Sequence, residues 1–235
     1  MRTTIVIPTY NEKDNIISIL DSITQQNISD LSVLIVDDSS PDGTGELVKE
    51  FSKNHPQVSL LTRTKKEGLG RAYIAGFKES VNRGAEAIIQ MDADFSHDPN
   101  DIPRLLDKLK DKDLVIGSRY MQGGRVSSDW PLRRRLLSQW ANVYARLVTG
   151  VPVTDLTGGF KAWKADLLKK MDLDSVRADG YGFQIEMNSR AFFKGARIVE
   201  TPIVFIDRKN GQSKISRDIV WEALFLVWKI RFTKK

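Results

Sequence analysis

The chain has 235 residues, 41% hydrophobic and 28% charged, a globular composition with room for a sizeable core that excludes a disordered chain. It contains no cysteine and two histidines, His55 and His97, which excludes a disulfide framework, thiolate chemistry and Cys- or His-rich metal sites. The formal net charge of +6 fits anionic partners: phosphates, an acidic membrane face or nucleic acid.

In chain order, Thr3–Pro8 is a β-branched run ending in proline and reads as a buried first strand. No signal-peptide core precedes it. A loop through Tyr10 and Glu12 follows, then Ile16, Ile17, Leu20 and Ile23 at helical spacing. Leu31–Val36 is a second strand, closed by the carboxylate-bearing turn Asp37-Asp38-Ser39-Ser40-Pro41-Asp42-Gly43-Thr44 and a helix through Leu47, Val48 and Phe51. Val58–Leu61 is a third strand, and Gly68-Leu69-Gly70 opens a helix through Tyr73, Ile74, Phe77 and Val81. Glu86–Ile89 is a fourth strand, followed by a helix over Pro99–Lys110 with Asp98 near its N-cap and a strand at Leu114–Gly117. Strands alternating with helices predict an α/β fold with a mostly parallel central sheet and helices on both faces. No linker or repeat divides it, so the expectation is one domain over 1–235.

The stretch Gln90-Met91-Asp92-Ala93-Asp94-Phe95-Ser96-His97 sits where the fourth strand ends. Ligands of open α/β sheets bind at the carboxyl ends of the strands. Two carboxylates one residue apart repel unless a cation lies between them, and Mg²⁺ uses one or two carboxylates together with substrate phosphates. The pair therefore reads as a metal clamp on a nucleotide diphosphate, or more plainly as a solvated turn. Tyr10/Glu12, Asp37/Asp38 and Ser118/Arg119 end other strands and would converge on the same edge. Glu12 and Asp37 suit ribose or base contacts, and Arg119 suits phosphate. No Walker loop or G-x-G-x-x-G is present, which argues against the ordinary P-loop and dinucleotide-binding readings.

The later chain differs in character. About 131–149, Leu136, Leu137, Trp140, Val143, Tyr144, Leu147 and Val148 follow helical spacing among Arg133, Arg134, Arg135 and Arg146. This is an amphipathic basic helix, suited to a membrane interface or to packing on the sheet. About 216–232 is apolar nearly all round and ends in a basic tail. Neither stretch reaches the roughly 18 apolar residues of a spanning helix. The expected location is cytoplasmic, peripheral on the cytoplasmic face of a membrane. Between these helices lie Asp155-Leu156-Thr157-Gly158-Gly159-Phe160, the stretch Phe183-Gln184-Ile185-Glu186-Met187, a strand over Ile198–Ile206, and a basic loop with Arg208 and Lys214 suited to closing over phosphates.

Together these motifs, with Val6-Ile7-Pro8-Thr9-Tyr10-Asn11-Glu12, Gly117-Ser118-Arg119-Tyr120 and Gly211-Gln212-Ser213-Lys214, resemble the family 2 glycosyltransferases of the GT-A fold. Within them they look most like the polyprenyl (dolichyl) phosphate mannosyltransferases. The resemblance spans nearly the whole chain. It implies transfer of mannose from GDP-mannose to a dolichyl or polyprenyl phosphate with inversion, as a step towards protein glycosylation. It implies donor contacts by Pro8, Tyr10, Glu12, Ile35, Asp37, Asp92, Ala93, Asp94, Arg119, Arg208 and Lys214. A divalent metal, Mg²⁺ or Mn²⁺, would sit on Asp92 and Asp94, and Ser96 stands where the family often has a glutamine ligand. Asp92, Asp94, Arg119 and Arg133 would carry catalysis, with Arg133 and Arg119 on the acceptor phosphate. The acceptor is already anionic at neutral pH, so no general base is required and the scarcity of histidine is no obstacle. A membrane surface is an expected partner, with a small membrane-anchoring subunit as a further candidate, and nucleic acid is not expected. Alternatives are another donor sugar such as glucose, another acceptor, or a non-catalytic module that binds nucleotide sugars or membrane surfaces.

Overall fold

The computed structural model describes residues 1–128, 130–206 and 225–232. Seven strands form the main sheet: β1 (Thr3–Thr9), β2 (Leu31–Asp37), β3 (Val58–Thr62), β4 (Ala87–Gln90), β5 (Leu114–Ser118), β7 (Lys161–Lys164) and β8 (Ile198–Pro202). Their order is β3-β2-β1-β4-β7-β5-β8, parallel except for β7, which runs antiparallel between β4 and β5. Two short strands, β6 (Arg125–Val126) and β9 (Val204–Phe205), pair in parallel as a separate ribbon. The helices are α1 (Lys13–Thr24), α2 (Thr44–Ser52), α3 (Leu69–Asn82), α4 (Ile102–Leu109), α5 (Leu132–Thr149), α6 (Ala165–Lys170) and α7 (Gly180–Phe193). Residues 225–232 are helical and are called α8 here.

Side chains alternate across a strand, so each buried strand feeds two cores. Ile5 and Ile7 of β1 join Ile16, Ile19, Leu20 and Ile23 of α1 and Leu105 and Leu109 of α4. Val6 points the other way and joins Tyr73 and Phe77 of α3, Phe183 of α7 and Trp163 of β7. Helices therefore cover both faces, as the βα rhythm predicts. The helix expected over 99–110 begins as a 3₁₀ turn at Pro99–Asp101, where the Asp98 carboxylate accepts from the Asn100 N–H at 2.9 Å. The strand expected over 198–206 is split in two, β8 and β9, where its partner changes from β5 to β6.

Two elements depart from expectation. β7 is an antiparallel strand inside a parallel sheet, and its first residue is a fully buried lysine. Helix α5 buries Asn142, Ala145 and Thr149, while Leu132, Leu136, Trp140, Val143 and Leu147 are each more than half exposed. Of the expected apolar stripe, Tyr144 and Val148 pack against the core, and the rest faces outward. α8 packs Val227 and Ile230 into the core and leaves Phe225 and Phe232 exposed. The part of the terminal helix expected over 216–224 lies outside the described residues.

Register places the site. Thr9 of β1 pairs with Asp37 of β2, and Val6 pairs with Gln90 of β4, so the three strands end at one edge. β5 is parallel to them through β7, so Arg119 emerges on that edge too. Helix α3 lies close over β1 and β2 because Gly76 has no side chain; a Cβ there would strike Val6 Cγ1 and come within 2.9 Å of Val36 Cγ2. Gly76→Ala is expected to lower unfolding free energy by about 1–3 kcal/mol, the usual cost of overpacking, as read by urea denaturation.

Candidate active site

The edge carries three groups of polar side chains. At the end of β2, Asp37 is buried and its carboxylate is held by its own turn. Oδ1 accepts from Thr9 Oγ1 at 2.8 Å and Ser40 Oγ at 2.6 Å, and Oδ2 accepts from the Ser40 N–H at 2.9 Å. Glu12 accepts from Asn15 Nδ2 at 2.9 Å, and its N–H donates to Thr44 Oγ1. Pro8 and Ile35 are buried in their strands. Tyr10 is partly exposed, with the Lys66 ammonium 3.7 Å from its ring centroid.

At the end of β4, Asp92 and Asp94 are half-buried and flank the buried Ala93. Asp92 is held at both ends. Its Oδ1 accepts from Tyr73 Oη at 2.5 Å, and its N–H donates to His97 Nδ1 at 3.2 Å. Burial first, and the Asp92 carboxylate second, push the Tyr73 phenol well above its ordinary pKa, so it stays a donor. Burial lowers the His97 pKa against the pull of Asp92 and Asp94. A neutral ring accepting at Nδ1 carries its proton on Nε2. His97 is thus a brace for the turn, stacked 5.0 Å from Phe160. Asp94 Oδ1 accepts from the Ser96 N–H at 3.1 Å, across Phe95 in a left-handed conformation (φ 58°). Ile206, the last described residue before 225, donates its N–H to the Ser96 carbonyl at 3.4 Å. Arg208 and Lys214, expected at the phosphates, lie outside the described residues.

The third group was partly missed from sequence. Arg119 is buried, and its fork is taken by Asp155: Nε to Oδ2 and Nη2 to Oδ1, both at 2.7 Å, with Nη2 also donating to Thr157 Oγ1. Burial alone would weaken the cation, but Asp155 more than offsets this and raises its pKa. The expected fork onto phosphate is therefore spent on a carboxylate, which leaves Nη1 as the guanidinium nitrogen that bonds to no described residue. The loop that carries Asp155 also carries Gly159. A Cβ at Gly159 would lie 3.3 Å from both Asp92 Oδ2 and His97 Cε1, so glycine lets this loop pass close to the Asp92 carboxylate without displacing either side chain. Arg133 sits exposed in the first turn of α5.

Behind Asp92 lies a wholly buried polar chain. Gln184 Oε1 accepts from Lys161 Nζ at 2.7 Å and Gln90 Nε2 at 2.8 Å, and Gln90 Oε1 accepts from Trp163 Nε1 at 3.2 Å. Burial lowers the Lys161 pKa from 10.5 to about 7, with Asp155 and Asp92 pulling it back up. The sequence signal for this chain is faint: a lysine and two glutamines in otherwise apolar stretches. Among the described residues no cluster of three or more His, Cys, Asp or Glu gathers to hold a metal. The two aspartates with oxygen-only chemistry match a hard divalent cation that completes its shell with substrate phosphates.

Residues 4–172 match the model of glycosyl transferase family 2. The chain belongs to that family. It is 44% identical to the undecaprenyl-phosphate mannosyltransferase of Micrococcus luteus over 95% of this chain and 91% of that one. It is 44% identical to the polyprenol monophosphomannose synthase of Mycolicibacterium smegmatis, covering 98% and 88%. It is 34% identical to the dolichol-phosphate mannosyltransferase of Pyrococcus furiosus, covering 98% of this chain and 64% of that one. Among solved structures, the mannosyltransferase PcManGT from Pyrobaculum calidifontis, in complex with GDP-Man and Mn²⁺, superposes with a TM-score of 0.62 at 19% identity over 99% and 73% of the two chains. Glucosyl-3-phosphoglycerate synthase from Mycobacterium tuberculosis, in complex with Mn²⁺, UDP and phosphoglyceric acid, superposes at 0.68 with 17% identity over 99% and 78%. The protein is a glycosyltransferase of the GT-A fold, as its motifs predicted.

The Lys161 environment has a measurable consequence. Its folded pKa lies below its unfolded one, so between about 7 and 10.5 the unfolded chain binds the extra proton. Unfolding free energy should rise across that window by up to ~1.4 kcal/mol per pH unit. Lys161→Met should flatten the rise, as followed by urea denaturation from pH 7 to 10.

Proposed function

We propose that this glycosyltransferase moves mannose from GDP-mannose to a polyprenyl phosphate such as dolichyl phosphate, with inversion at the sugar carbon. Near-full-length identity to mannosyltransferases of lipid phosphates supports the donor and acceptor. The observation that carries the reading on this chain is the Asp92–Ala93–Asp94 turn, braced by Tyr73 and His97 at the edge where β1, β2, β4 and β5 end. Pro8, Tyr10, Glu12, Ile35 and Asp37 would hold the nucleoside. Asp92, Ala93 and Asp94 would hold the diphosphate with Mg²⁺ or Mn²⁺, and Ser96 supports Asp94 through its N–H. Arg208 and Lys214 are assigned to phosphates from sequence. When bound, the metal neutralises charge that builds on the departing diphosphate.

In the reaction the bond from the sugar carbon to the donor phosphate oxygen breaks, and GDP leaves with the electron pair. A bond to the acceptor phosphate oxygen forms on the opposite face. That oxygen is already anionic, so no proton need be removed. This agrees with a histidine whose Nδ1 is occupied by the Asp92 N–H. The work of the site is electrostatic: it must bring two anions together. Arg119 and Arg133 are assigned to the acceptor phosphate.

The exposed stripe of α5 gives the lipid a place to approach. Full burial of a Leu, Val or similar side chain stabilises by about 1.5–3 kcal/mol, and five large apolar residues of one helix stand more than half exposed. Together with the arginines of α5 this suits a helix lying in a bilayer surface. No helix of the described residues is long and apolar enough to cross a membrane. The membrane contact assigned to α5 and α8 is peripheral, and its assignment to the cytoplasmic face is part of the same proposal. A small membrane-anchoring subunit would add to this contact.

The test is transfer of label from GDP-mannose into the organic phase with polyprenyl phosphate and Mn²⁺ or Mg²⁺. Metal-dependent transfer that falls at least a hundredfold in Asp94→Ala is expected; transfer that persists in that variant refutes the site. Tyr73→Phe keeps the ring and removes the hydroxyl from Asp92. It should raise the metal concentration needed for half-maximal rate several-fold, with a smaller change at saturating metal.

A further inference from the structure

A column of rings runs from the start of α5 to the Asp92 turn. Trp130, just before α5, is buried against Phe205 of β9, with ring centroids 5.5 Å apart and planes at 75°. Phe205 meets His97 in the same edge-on way, at 5.8 Å and 72°. His97 in turn stacks on Phe160 and accepts from the Asp92 N–H. The indole N–H of Trp130 bonds to no described residue, so what this position uses is the ring, which the Arg134 guanidinium covers at 4.1 Å. The strand that carries Phe205 also touches the turn through its backbone, from the Ile206 N–H to the Ser96 carbonyl.

The turn needs the imidazole in one orientation. Nδ1 can accept from the Asp92 N–H only while the ring plane points its lone pair there. The torsion that sets this plane is a broad sp³–sp² rotation, which the side chain does not fix by itself. Neighbouring rings can fix it, because aromatic pairs hold preferred angles. Phe205 also lies 5.3 Å from the Arg119 guanidinium carbon, so one ring stands between the cation assigned to the acceptor and the turn assigned to the metal. We propose that Trp130 and Phe205 are positioning residues for the transfer reaction: they hold His97 on the Asp92 N–H and so keep the Asp92 carboxylate oriented for the divalent metal and the donor diphosphate. The inference rests on the reading of Asp92 and Asp94 as the metal site.

The test uses the full chain without acceptor and follows the Mn²⁺ concentration that gives half of the thermal stabilisation produced by saturating GDP. Phe205→Leu should raise that concentration about three- to tenfold, the factor that corresponds to the coupling within one aromatic pair. The rate of transfer at saturating Mn²⁺ should change less than the Mn²⁺ requirement does. His97→Leu removes the acceptor through which the column works, so Phe205→Leu added to it should shift the requirement by less than about twofold. Trp130→Leu should raise the requirement as well, whereas Trp130→Phe, which keeps a ring, should restore it; this pair decides the matter if Phe205→Leu does not fold. An unchanged Mn²⁺ requirement in both leucine variants, or an equal shift from Phe205→Leu with and without His97, overturns the proposal. A raised KM for polyprenyl phosphate with no change in the Mn²⁺ requirement would also overturn it and tie Phe205 to Arg119 instead. Wild type that GDP stabilises no better with Mn²⁺ than without would remove the reading of the metal site itself, whereas a wild-type response that the variants share would remove only this inference.

Discussion

The Arg119–Asp155 fork ties together the parts of the molecule that have no local reason to meet. Asp155 takes the side chain and the N–H of Arg119, which fixes the end of β5. Its own N–H, with the N–H and hydroxyl of Thr154, donates to Glu200 on β8. Asn142 of α5 accepts from the N–H groups of Leu156 and Thr157, the next two residues of the same loop. The loop thus held then passes Gly159 across the Asp92 carboxylate. Two charges withdrawn from water are tolerable here because the two arms of the fork are short charge-assisted hydrogen bonds of 2.7 Å; a single unpaired member would cost about 3–5 kcal/mol.

Much of this was legible in the sequence. The parallel half of the sheet shows in the runs at Ile5, Leu34 and Ile88, since strands buried on both faces read as unbroken β-branched and aliphatic stretches. The converging strand ends at Asp37 and Asp92 follow from that rhythm. β7 did not show, because it spans four residues and opens on Lys161, a residue type seldom found wholly buried. Its burial depends on Gln184, far along the chain, and no local pattern announces such a partner. Tyr73 showed only as one apolar position on α3; its hydroxyl gains meaning from Asp92 across the fold. Arg119 was recognised as a site residue, but its fork partner was not.

Helix α5 reverses the usual rule for a surface helix. Its inward face holds Asn142, which makes four hydrogen bonds, and small Ala145; its outward face holds leucines and a tryptophan stacked on Tyr144. Polar groups bind the helix to the loop beneath, and the apolar groups are left for another medium. The helix is thereby anchored by directional bonds that do not depend on which lipid lies outside.

The antiparallel strand also imposes an order on assembly. β4 and β5 follow one another in sequence but never touch as neighbours, because β7 lies between them. The chain must pass through β5 and α5 before it returns to fill the gap. A nascent chain that has emerged only through β5 has the β3-β2-β1-β4 portion able to pair, with β4 as an open edge and β5 with no partner on either side. Unpaired edges are the segments most prone to join another chain. The residues that close this edge are also those that lead out of the Gly159 loop, so one stretch of chain forms both the seam of the sheet and the wall of the Asp92 turn. Whatever shields β4 during synthesis protects the catalytic edge as well.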